Sequence, residues 1–466
     1  MKYLNDVVSD IKIAYIGGGS RGWAWTFMGD LALEERLSGT ISLYDINFET
    51  AKQNELLGNM VSAKDNAVGK WKYQAVKTLE ESLTGADFVV ISILPGSFDD
   101  MYSDVHLPER LNIFQSVGDT SGPGGIIRSL RTIPAFVEFA TAIKNYAPDA
   151  WVINYTNPMS ICMKTLYHVF PQIKAFGCCH EVFGTQKLLK KIAEESLNIE
   201  NIDRSDIKVN VLGINHFTWF DYASYKGVDL IPIYKDFVDK NFDKGFDASE
   251  EHWANSSFAC LNRVKFDLFN KYGYIACAGD RHLAEFVNGD IYLKSPEVVK
   301  FWDFGLTTVD WRKQDLNNRI ERSKRLASGE EEFELKDSGE EGILLIKALC
   351  GLEQVISNVN IPNKSKQISN LPESAIVETN AVFERDAIRP ILAGELPSNL
   401  CELIEPHVKN HDLILESALT YNKDLVIEAF KNDPILKDRC SDDDIVQLVN
   451  DMIANTIEAL PTGWKN

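Results

Sequence analysis

Short apolar runs rich in β-branched residues recur along the first 180 residues of the chain. They occupy residues 11–16, 41–45, 72–77, 87–93, 150–154 and 173–178. Most of the segments between them are long enough for a crossover helix. Strands that alternate with helices in this way predict parallel βαβ units whose sheet is covered on both faces. Six such strands suit the Rossmann-type, mainly parallel sheet of an α/β fold.

The pattern changes after about residue 205. Residues 207–214 form one more strand-like run, and the charge-dense stretch 319–341 predicts a solvated helix and turn. Apolar positions at helical spacing near the C-terminus predict packed helices. We therefore predict a Rossmann-type domain at residues 1–205 and a second, mixed α+β lobe at residues 206–466. No linker rich in Pro, Gly or Ser separates them, so we expect two tightly joined lobes.

Composition and charge narrow the class of protein. Of the 466 residues, 45% are hydrophobic and 25% are charged, as is usual for a soluble globular chain. The 48 Lys and Arg against 68 Asp and Glu give a net charge of −20, which disfavours nucleic acid and anionic membranes as partners. The N-terminus is too polar for a signal peptide, and eight cysteines are too few for a disulfide framework. We expect a cytoplasmic protein.

A glycine-rich segment follows the first predicted strand. It runs from Gly17 to Gly22 and fits the pattern G-x-G-x-x-G, with a helix-like stretch after it. Glycines there allow the backbone to approach a pyrophosphate at the helix N-terminus. Asp45 closes the second predicted strand, where a carboxylate binds the adenosine ribose and favours NAD over NADP. We predict that Gly17, Gly19, Ser20, Gly22 and Asp45 bind NAD; the alternative is a glycine turn without a ligand.

A second glycine-rich stretch, residues 117–125, follows the fourth predicted strand after a long loop. It is expected at the carboxyl edge of the sheet, where ligands bind in open α/β folds. A loop of this length is typical of a pocket wall. Asp119 within it is either a functional carboxylate or a turn residue.

A possible metal site is formed by residues at two strand ends. Cys178 and Cys179 lie at the end of the sixth predicted strand, and His216 lies at the end of the strand at 207–214. A thiolate and an imidazole can together hold a divalent cation and leave positions open for substrate oxygens. Successive strand residues point to opposite faces, so the two cysteines cannot both serve. The alternative is a buried cysteine and a hydrogen-bonded core histidine.

A third group of polar side chains lies at residues 277–285. Asp280 is a candidate base, Arg281 can bind an anionic substrate group in bidentate fashion, and His282 can hydrogen-bond to either. The alternative is a surface ion pair with a helix cap.

Taken together, these segments resemble glycoside hydrolase family 4, whose members cleave glycosides with NAD and a divalent metal. The resemblance extends over nearly the whole chain. Its motifs lie at residues 17–22, 117–125, 154–158, 179–182, 213–216 and 279–286. The Cys-His-Glu-Val sequence at 179–182 is similar to that of the α-galacturonidase subgroup. The fold implied has a Rossmann-type domain like that of lactate and malate dehydrogenases, with substrate, metal and oligomer contacts in the second lobe.

The resemblance also implies roles for single residues in metal and substrate binding. It makes Cys179 and His216 the ligands of a metal, with manganese as the ion that the family suggests. It makes Asn157 a contact to a substrate hydroxyl. Arg281 becomes a candidate for holding a uronate carboxylate. The arginine that phosphoglycoside-cleaving relatives carry has no match near Ser103, which fits a non-phosphorylated substrate.

The roles implied for the reaction fall on three further residues. Asp280 stands where phosphoglycoside-cleaving relatives have a tyrosine base, and Asp119 is an electrostatic helper near it. His180 stands where some relatives have an aspartic general acid. In the family's reaction, hydride passes from sugar C3 to NAD+, the base removes the C2 proton, and the C1–O bond breaks by elimination. Water then adds and the hydride returns, so no net oxidation occurs.

The resulting expectation is a homo-oligomeric hydrolase of small α-linked oligogalacturonides that uses NAD+ and a divalent metal, in the breakdown of pectin. Three alternatives are an α-galactosidase or α-glucosidase of the same family, a 2-hydroxy-acid dehydrogenase, and a catalytically silent NAD-binding sensor. A dehydrogenase accumulates NADH during turnover, whereas the elimination–addition scheme does not. A sensor gives Cys179 no role.

Overall fold

The structure is a computed structural model, and it describes residues 1–247 and 260–465. The strands are β1 (Lys2–Leu4), β2 (Val7–Ile16), β3 (Leu37–Tyr44), β4 (Lys70–Val76), β5 (Phe88–Ile91), β6 (Trp151–Asn154), β7 (Lys174–Gly177), β8 (Ile207–Ile214), β9 (Phe217–Tyr225), β10 (Val228–Asp229), β11 (Ile275–Ala276), β12 (Val355–Pro362), β13 (Ile376–Glu384) and β14 (Ala387–Pro390). Each predicted apolar run of the first 180 residues overlaps one of β2 to β7.

The α-helices cover both faces of the main sheet and make up much of the rest of the chain. They are α1 (Trp23–Ala32), α2 (Phe48–Ser62), α3 (Leu79–Leu83), α4 (Phe98–His106), α5 (Gly122–Tyr146), α6 (Met159–Val169), α7 (Glu181–Leu197), α8 (Ile231–Asn241), α9 (Arg263–Tyr272), α10 (Asp280–Leu283), α11 (Gly289–Tyr292), α12 (Pro296–Phe301), α13 (Val309–Ser328), α14 (Gly342–Leu349), α15 (Ser398–Thr420), α16 (Lys423–Asn432) and α17 (Asp442–Asn455). Within the described ranges, none of the helices combines the length and apolar character that crossing a bilayer requires.

The main sheet has a parallel part in the order β4-β3-β2-β5-β6-β7. This is the strand order of a doubly wound dinucleotide-binding fold, so the predicted Rossmann-type α/β class is confirmed. Strands β12, β13 and β14 extend the sheet beyond β7 in antiparallel fashion.

A second sheet is built from β8, β9, β10 and β11, and β8 coincides with the predicted run at 207–214. The main sheet contains strands from both sides of residue 205, since β12 pairs with β7. The main sheet therefore extends across the predicted boundary at residue 205. The assignment of separate domains to residues 1–205 and 206–466 stays a prediction.

The core explains why the first strands read as nearly continuous apolar runs. Ile13 and Tyr15 of β2 belong to an apolar cluster that includes α1, α2 and α14. Ala14 and Ile16 of the same strand belong to the cluster on the other face, which includes α5 and α6. Strand residues alternate between faces, so a strand covered on both sides needs an apolar residue at every position.

The carboxyl ends of the parallel strands meet at one edge of the sheet. The glycine segment leaves β2 there, Asp45 follows β3, and Cys178 and Cys179 follow β7. This edge is where open α/β sheets bind ligands, which brings the predicted cofactor and metal residues to one side of the molecule.

Candidate active site

The glycine segment between β2 and α1 is packed too closely for side chains. Gly17 has φ +92°, and a Cβ atom there would lie 2.0 Å from the carbonyl oxygen of Ser92 at the end of β5. The amides of Gly17 and Gly18 donate to the carbonyl oxygen of Tyr44, at 2.9 and 2.8 Å. The turn is thus fastened between two strand ends, in the position that the nucleotide-binding prediction requires.

Asp45 and the start of α1 shape the rest of this loop. One carboxylate oxygen of Asp45 accepts from the amide of Gly19 at 2.9 Å, and the other accepts from the amide of Asn47 at 2.9 Å. Ser20 Oγ accepts from the amide of Gly22 at 3.4 Å. Gly22 precedes α1 and has no side chain to cap its first amides, which suits an anion at this helix end. The nucleotide contacts of these residues stay predictions.

Three ligating side chains from distant segments converge beside the glycine-rich stretch 117–125. One ligand atom from each of Asp119, His216 and His282 lies within 4.8 Å of the others. The rings of His216 and His282 are 3.8 Å apart between centroids. His216 lies in the two-residue turn between β8 and β9 with φ +63°, which is uncommon for a residue with a side chain. The structure therefore joins Asp119 and His216, which the sequence singled out, with His282.

The protonation states of this cluster suit a cation. Burial opposes the ionisation of Asp119, but the Arg128 guanidinium and the His282 imidazole hold its pKa well below the usual range. Burial and the neighbouring His282 lower the pKa of His216 to about 3, so its ring is neutral at pH 7. An ionised carboxylate and a neutral imidazole are the forms that coordinate a metal.

One buried nitrogen atom of the cluster has no hydrogen-bond partner among the described residues. His282 Nδ1 is buried and, within residues 1–247 and 260–465, has no hydrogen-bond partner. Its other nitrogen, Nε2, lies 3.8 Å from Glu181 Oε1. Buried ring nitrogens are normally bonded, so an orphaned one on a histidine that lies beside a carboxylate and a second imidazole fits a coordinated ion. A set of oxygen and nitrogen donors suits manganese, among other divalent ions.

Cys179 is not a member of the three-residue cluster. Its carbonyl oxygen accepts from the Asn358 side-chain amide at 3.2 Å. Burial, with the nearby Glu378 and Glu181 carboxylates, raises the pKa of the Cys179 thiol well above its ordinary value. A thiolate would form here only with a cation beside it. Its role as a metal ligand stays a prediction.

Glu181, the third residue of the Cys-His-Glu-Val motif, is a functional candidate that the sequence interpretation passed over. Its Oε2 accepts from the amide of Gly279 at 2.7 Å, and its Oε1 lies 3.8 Å from a nitrogen of both His180 and His282. Burial opposes its ionisation, yet the imidazoles of His282 and His180 lower its pKa to about 2. Glu181 therefore ties the start of α7 to α10. Its position in the Cys-His-Glu-Val motif is the feature of the sequence that could have identified it.

His180 is on the solvent side of the same motif. Its side chain is 52% exposed, and Nδ1 lies 3.4 Å from Glu340 Oε1. The ring is 6.1 Å from that of Trp23, next to the glycine segment. An exposed imidazole can exchange protons with water, which a general acid needs. The assignment of His180 as that acid stays a prediction.

Asp280 begins α10 and is fully buried. Its carboxylate accepts from the amides of Val264 and Lys265 at the start of α9, at 3.2 and 3.0 Å. Burial raises the pKa of Asp280 to about 6, against the lowering effect of the Lys265 charge. These contacts hold the carboxylate at the N-terminal end of α9, and Asp280 is not among the three clustered ligands. Its role as the base stays a prediction.

Arg281 connects two segments near the cluster. Its Nη2 donates to the carbonyl oxygen of Ser116 at 2.7 Å and makes a short bond to the Thr307 hydroxyl. Its Nε donates to the carbonyl oxygen of Gly305 at 3.1 Å. These bonds hold the loop that carries Asp119 against the segment that leads into α13. A contact from Arg281 to substrate stays a prediction.

Asn157 precedes a cis peptide bond to Pro158, after β6. Its carbonyl oxygen accepts from Arg128 Nε at 3.2 Å, and Arg128 lies on α5 just after the second glycine-rich stretch. The predicted substrate contact of Asn157 therefore lies beside Arg128, a buried cation that the sequence interpretation did not single out. The contact from its side chain stays a prediction.

Comparison with known proteins places this site in a family. The model of the "Family 4 glycosyl hydrolase" domain matches residues 12–195, and that of the family's C-terminal domain matches residues 211–436. The chain belongs to glycosyl hydrolase family 4. The resemblance drawn from the motifs is thereby confirmed, and the chain is a glycoside hydrolase by family.

Two relatives and two solved structures illustrate the similarity. An alpha-galacturonidase of Lachnoclostridium phytofermentans is 66% identical over 464 residues, covering 100% of each chain. One from Bacillus subtilis is 52% identical, covering 96% of this chain and 97% of that protein. The crystal structure of the Bacillus subtilis protein lplD has a TM-score of 0.91 at 52% identity and covers 96% of this chain and 100% of its own. A 6-phospho-alpha-glucosidase from gut microorganisms, in complex with NAD and Mn2+, shares the fold with a TM-score of 0.80 at 18% identity, covering 97% and 99%.

Proposed function

We propose that this family 4 chain hydrolyses α-linked galacturonides, with short oligogalacturonides as substrates and NAD+ and a divalent metal as cofactors. The observation that carries the proposal is the full-length identity of 66% to an alpha-galacturonidase. An identity of that size over the whole length includes the core, the loops and the site together. The Cys-His-Glu-Val motif at 179–182 supports the same subgroup.

The cofactor part of the proposal rests on the two glycine-rich loops and the ligand cluster. Gly17, Gly19, Ser20, Gly22 and Asp45 would hold NAD+ at the carboxyl edge of the sheet. His216 and Cys179 would hold the metal, with Asp119 and His282 as further donors. When bound, NAD+ would supply a reversible oxidation of the sugar and the metal would polarise its oxygens. A 6-phospho-alpha-glucosidase of the same fold was crystallised with NAD and Mn2+, which supports this pair.

The residues of the chain would then move protons and orient the sugar. Asp280 accepts a proton from sugar C2, and a pKa of about 6 leaves most of it ionised at pH 7. His180 donates a proton to the leaving oxygen from the exposed side of the site. Asp119 stays ionised and adds negative charge beside the two imidazoles. Asn157 positions a sugar hydroxyl. Each role combines the motif resemblance with the contacts described above.

The free thiols bear on where the chain works. In the structure all eight cysteines are unpaired, which suits a reducing compartment. We place the protein in the cytoplasm, where it would act on uronides from pectin. Fractionation of the source cells, with activity assayed in the soluble and secreted fractions, tests this location; activity confined to the secreted fraction would contradict it.

Release of p-nitrophenol from its α-D-galacturonide tests the function. With NAD+, Mn2+ and a reductant, we expect turnover that requires both cofactors and leaves NADH at the level of the enzyme concentration. The matched substrate is p-nitrophenyl α-D-galactoside, because an alpha-galactosidase of Bacillus subtilis is 30% identical over 97% of this chain. Turnover of the galactoside alone would correct the substrate. NADH that rises in step with product would indicate a dehydrogenase.

A further inference from the structure

Two arginine side chains near Asp119 lack a carboxylate partner. Arg128 on α5 is 6% exposed, and Arg312 lies in the first turn of α13. Neither forms an ion pair within 4.0 Å anywhere in the part of the chain that the structure describes. The buried Nε of Arg312 also has no hydrogen-bond partner there. A guanidinium nitrogen buried without a partner is costly, so the Nε of Arg312 requires an explanation, although the Arg312 side chain as a whole is only partly buried.

Neighbouring charges do not balance these two cations. The adjacent Arg131 is neutralised by Asp104 in a buried ion pair. Glu285 is engaged with the amides of Val117 and Gly118, at 2.7 and 2.9 Å, and burial raises its pKa to about 7. Arg128 and Arg312 both help to hold the pKa of Asp119 below its usual range, so both cations lie near this carboxylate. Asp119 also belongs to the ligand cluster, so among the described residues neither arginine has a carboxylate of its own.

The contacts around α13 hold Arg312 in place against the loop that carries Asp119. The amide of Thr307 donates to the carbonyl oxygen of Ser116 at 3.2 Å, and Arg281 binds both of these residues. The amide of Val309 donates to His106 Nε2 at 3.3 Å. The start of α13 is thus fastened on two sides. A guanidinium on a fixed element can bind a planar anion with little loss of side-chain entropy.

We propose that Arg312 and Arg128 together bind the carboxylate at C6 of the uronide. The inference rests on the proposed function and names the residues that select its substrate class. Arg128 already bonds to the backbone of Asn157, the predicted hydroxyl contact, so one guanidinium touches the segment that orients the sugar ring. Arg281, the candidate from the sequence, is committed to the carbonyl oxygens of Ser116 and Gly305. A guanidinium matches a carboxylate in bidentate geometry.

This assignment explains how galacturonides would be chosen over galactosides. The two sugars differ at C6, where a hydroxymethyl group replaces the carboxylate. A galactoside would leave the buried Arg128 and the buried Nε of Arg312 without an anion. Sites built to pair with a polar group strongly reject analogues that lack it.

The test compares Arg312→Gln with Arg312→Lys and with Arg325→Gln as the matched control. Arg325 lies on the same helix and pairs with Glu331 far along it. The measurements are kcat/KM for p-nitrophenyl α-D-galacturonide, the inhibition constants of free galacturonate and galactose, and the Kd of NAD+. For Arg312→Gln we expect a loss of roughly 10- to 100-fold in kcat/KM, carried by KM, and equally weaker inhibition by galacturonate. Inhibition by galactose and binding of NAD+ should stay within about 3-fold of the wild type.

The outcomes separate the inference from the proposed function. Wild-type protein without galacturonide turnover would overturn the function, whatever the variants do. Active wild type with unchanged galacturonate inhibition in Arg312→Gln would overturn the inference alone. Weakened NAD+ binding would also overturn it, by assigning the cation to the dinucleotide. If circular dichroism shows that Arg312→Gln does not fold, Arg312→Lys decides. This variant keeps the charge but loses the bidentate geometry of the guanidinium, so inhibition by galacturonate should weaken about 10-fold. Unchanged inhibition by galacturonate would contradict the inference.

Discussion

At the scale of single residues, the site depends on which groups are charged in a buried setting. Asp119 stays ionised because neighbouring cations outweigh its burial, and His216 stays neutral because burial and His282 lower its pKa. Cys179, by contrast, is held as a thiol by burial and by nearby carboxylates. The Cys179 thiol therefore ionises only with a cation beside it. The neighbouring Cys178 thiol, whose pKa is also raised by burial, serves as a comparison.

Replacing Cys179 with serine should weaken Mn2+ binding by roughly 10- to 100-fold, because a serine hydroxyl does not lose its proton as readily as a thiol does. Cys178→Ser is the control, since Cys178 packs with the apolar cluster around Tyr155. Isothermal titration of both apo proteins with Mn2+ measures the difference. Equal affinities for the two variants would remove Cys179 from the metal site and leave Asp119, His216 and His282 to bind alone.

The activity of the wild type should fall at acidic pH as Asp280 takes up a proton. Its pKa of about 6 means that the base form predominates above pH 6 and is lost below it. We expect kcat/KM to rise tenfold per pH unit up to about 6 and then to level off. Asp280→Asn keeps one acceptor oxygen for the amides of Val264 and Lys265, which now donate to separate oxygens, and it should fold, as checked by circular dichroism, and lack activity. A folded, active Asp280→Asn would exclude Asp280 as the base.

The sequence predicted part of the site and missed the rest for physical reasons. Asp119 and His216 could be singled out because each follows a strand or a glycine-rich turn. Arg312 could not, because an arginine in a charged helical stretch looks like any solvated surface residue. Its distinctive feature is a buried Nε, which depends on contacts far apart in the chain. The buried N-terminal amides of α9 that hold Asp280 are equally invisible in the sequence.

At the scale of elements, the glycine segment shows how close packing sets residue type. Gly17 combines a left-handed backbone conformation with a carbonyl oxygen 2.0 Å from where a Cβ would lie. Gly85 has a similar φ of +74° but nothing within 4 Å of such an atom. The two positions differ in crowding and not in backbone conformation.

Gly17→Ala should weaken NAD+ binding at least tenfold, since the turn must move away from β5 to admit the methyl group. Gly85→Ala should cost about 1 kcal/mol of stability, because its φ is positive, and leave the NAD+ affinity unchanged. Fluorescence titration with NAD+ and thermal unfolding of both variants measure these effects. Unchanged NAD+ affinity in Gly17→Ala would mean that the cofactor does not rest on this turn.

The order of the helices and strands was predicted best where burial on both faces imposes a continuous apolar pattern. That is why β2 to β7 could be located from the sequence. The start of α13 at Val309 lies ten residues before the predicted charged helix, which began at Arg319. The addition of β12 to the edge of β7 was not predicted, since pairing between strands so distant in sequence leaves no local pattern.

At the scale of the whole molecule, the C-terminal half completes the N-terminal sheet. The apolar cluster on one face of β2 contains Ile346 of α14, Val359 of β12 and Phe383 of β13. Residues 1–205 alone would keep α1 and α2 on that face but would expose the part that these C-terminal residues cover, together with the edge of β7. Exposed apolar surface and unpaired strand edges favour aggregation.

We therefore expect a fragment of residues 1–205 to aggregate or to unfold without a cooperative transition, unlike the full chain. Thermal unfolding followed by circular dichroism, with NAD+ added, makes the comparison. A fragment that unfolds cooperatively and binds NAD+ as the full chain does would show an independent domain and would contradict this expectation.

Deuterium at C2 of the released sugar reports most directly on the proposed reaction. The full-length enzyme would hydrolyse an α-galacturonide in D2O with NAD+, Mn2+ and reductant, and NMR would locate the label in the galacturonate. Proton removal at C2 followed by addition of solvent predicts one deuterium at that carbon. Product that carries only protium at C2 would mean that the bond is cleaved without proton abstraction, and the roles given to Asp280 and the cofactors would be wrong.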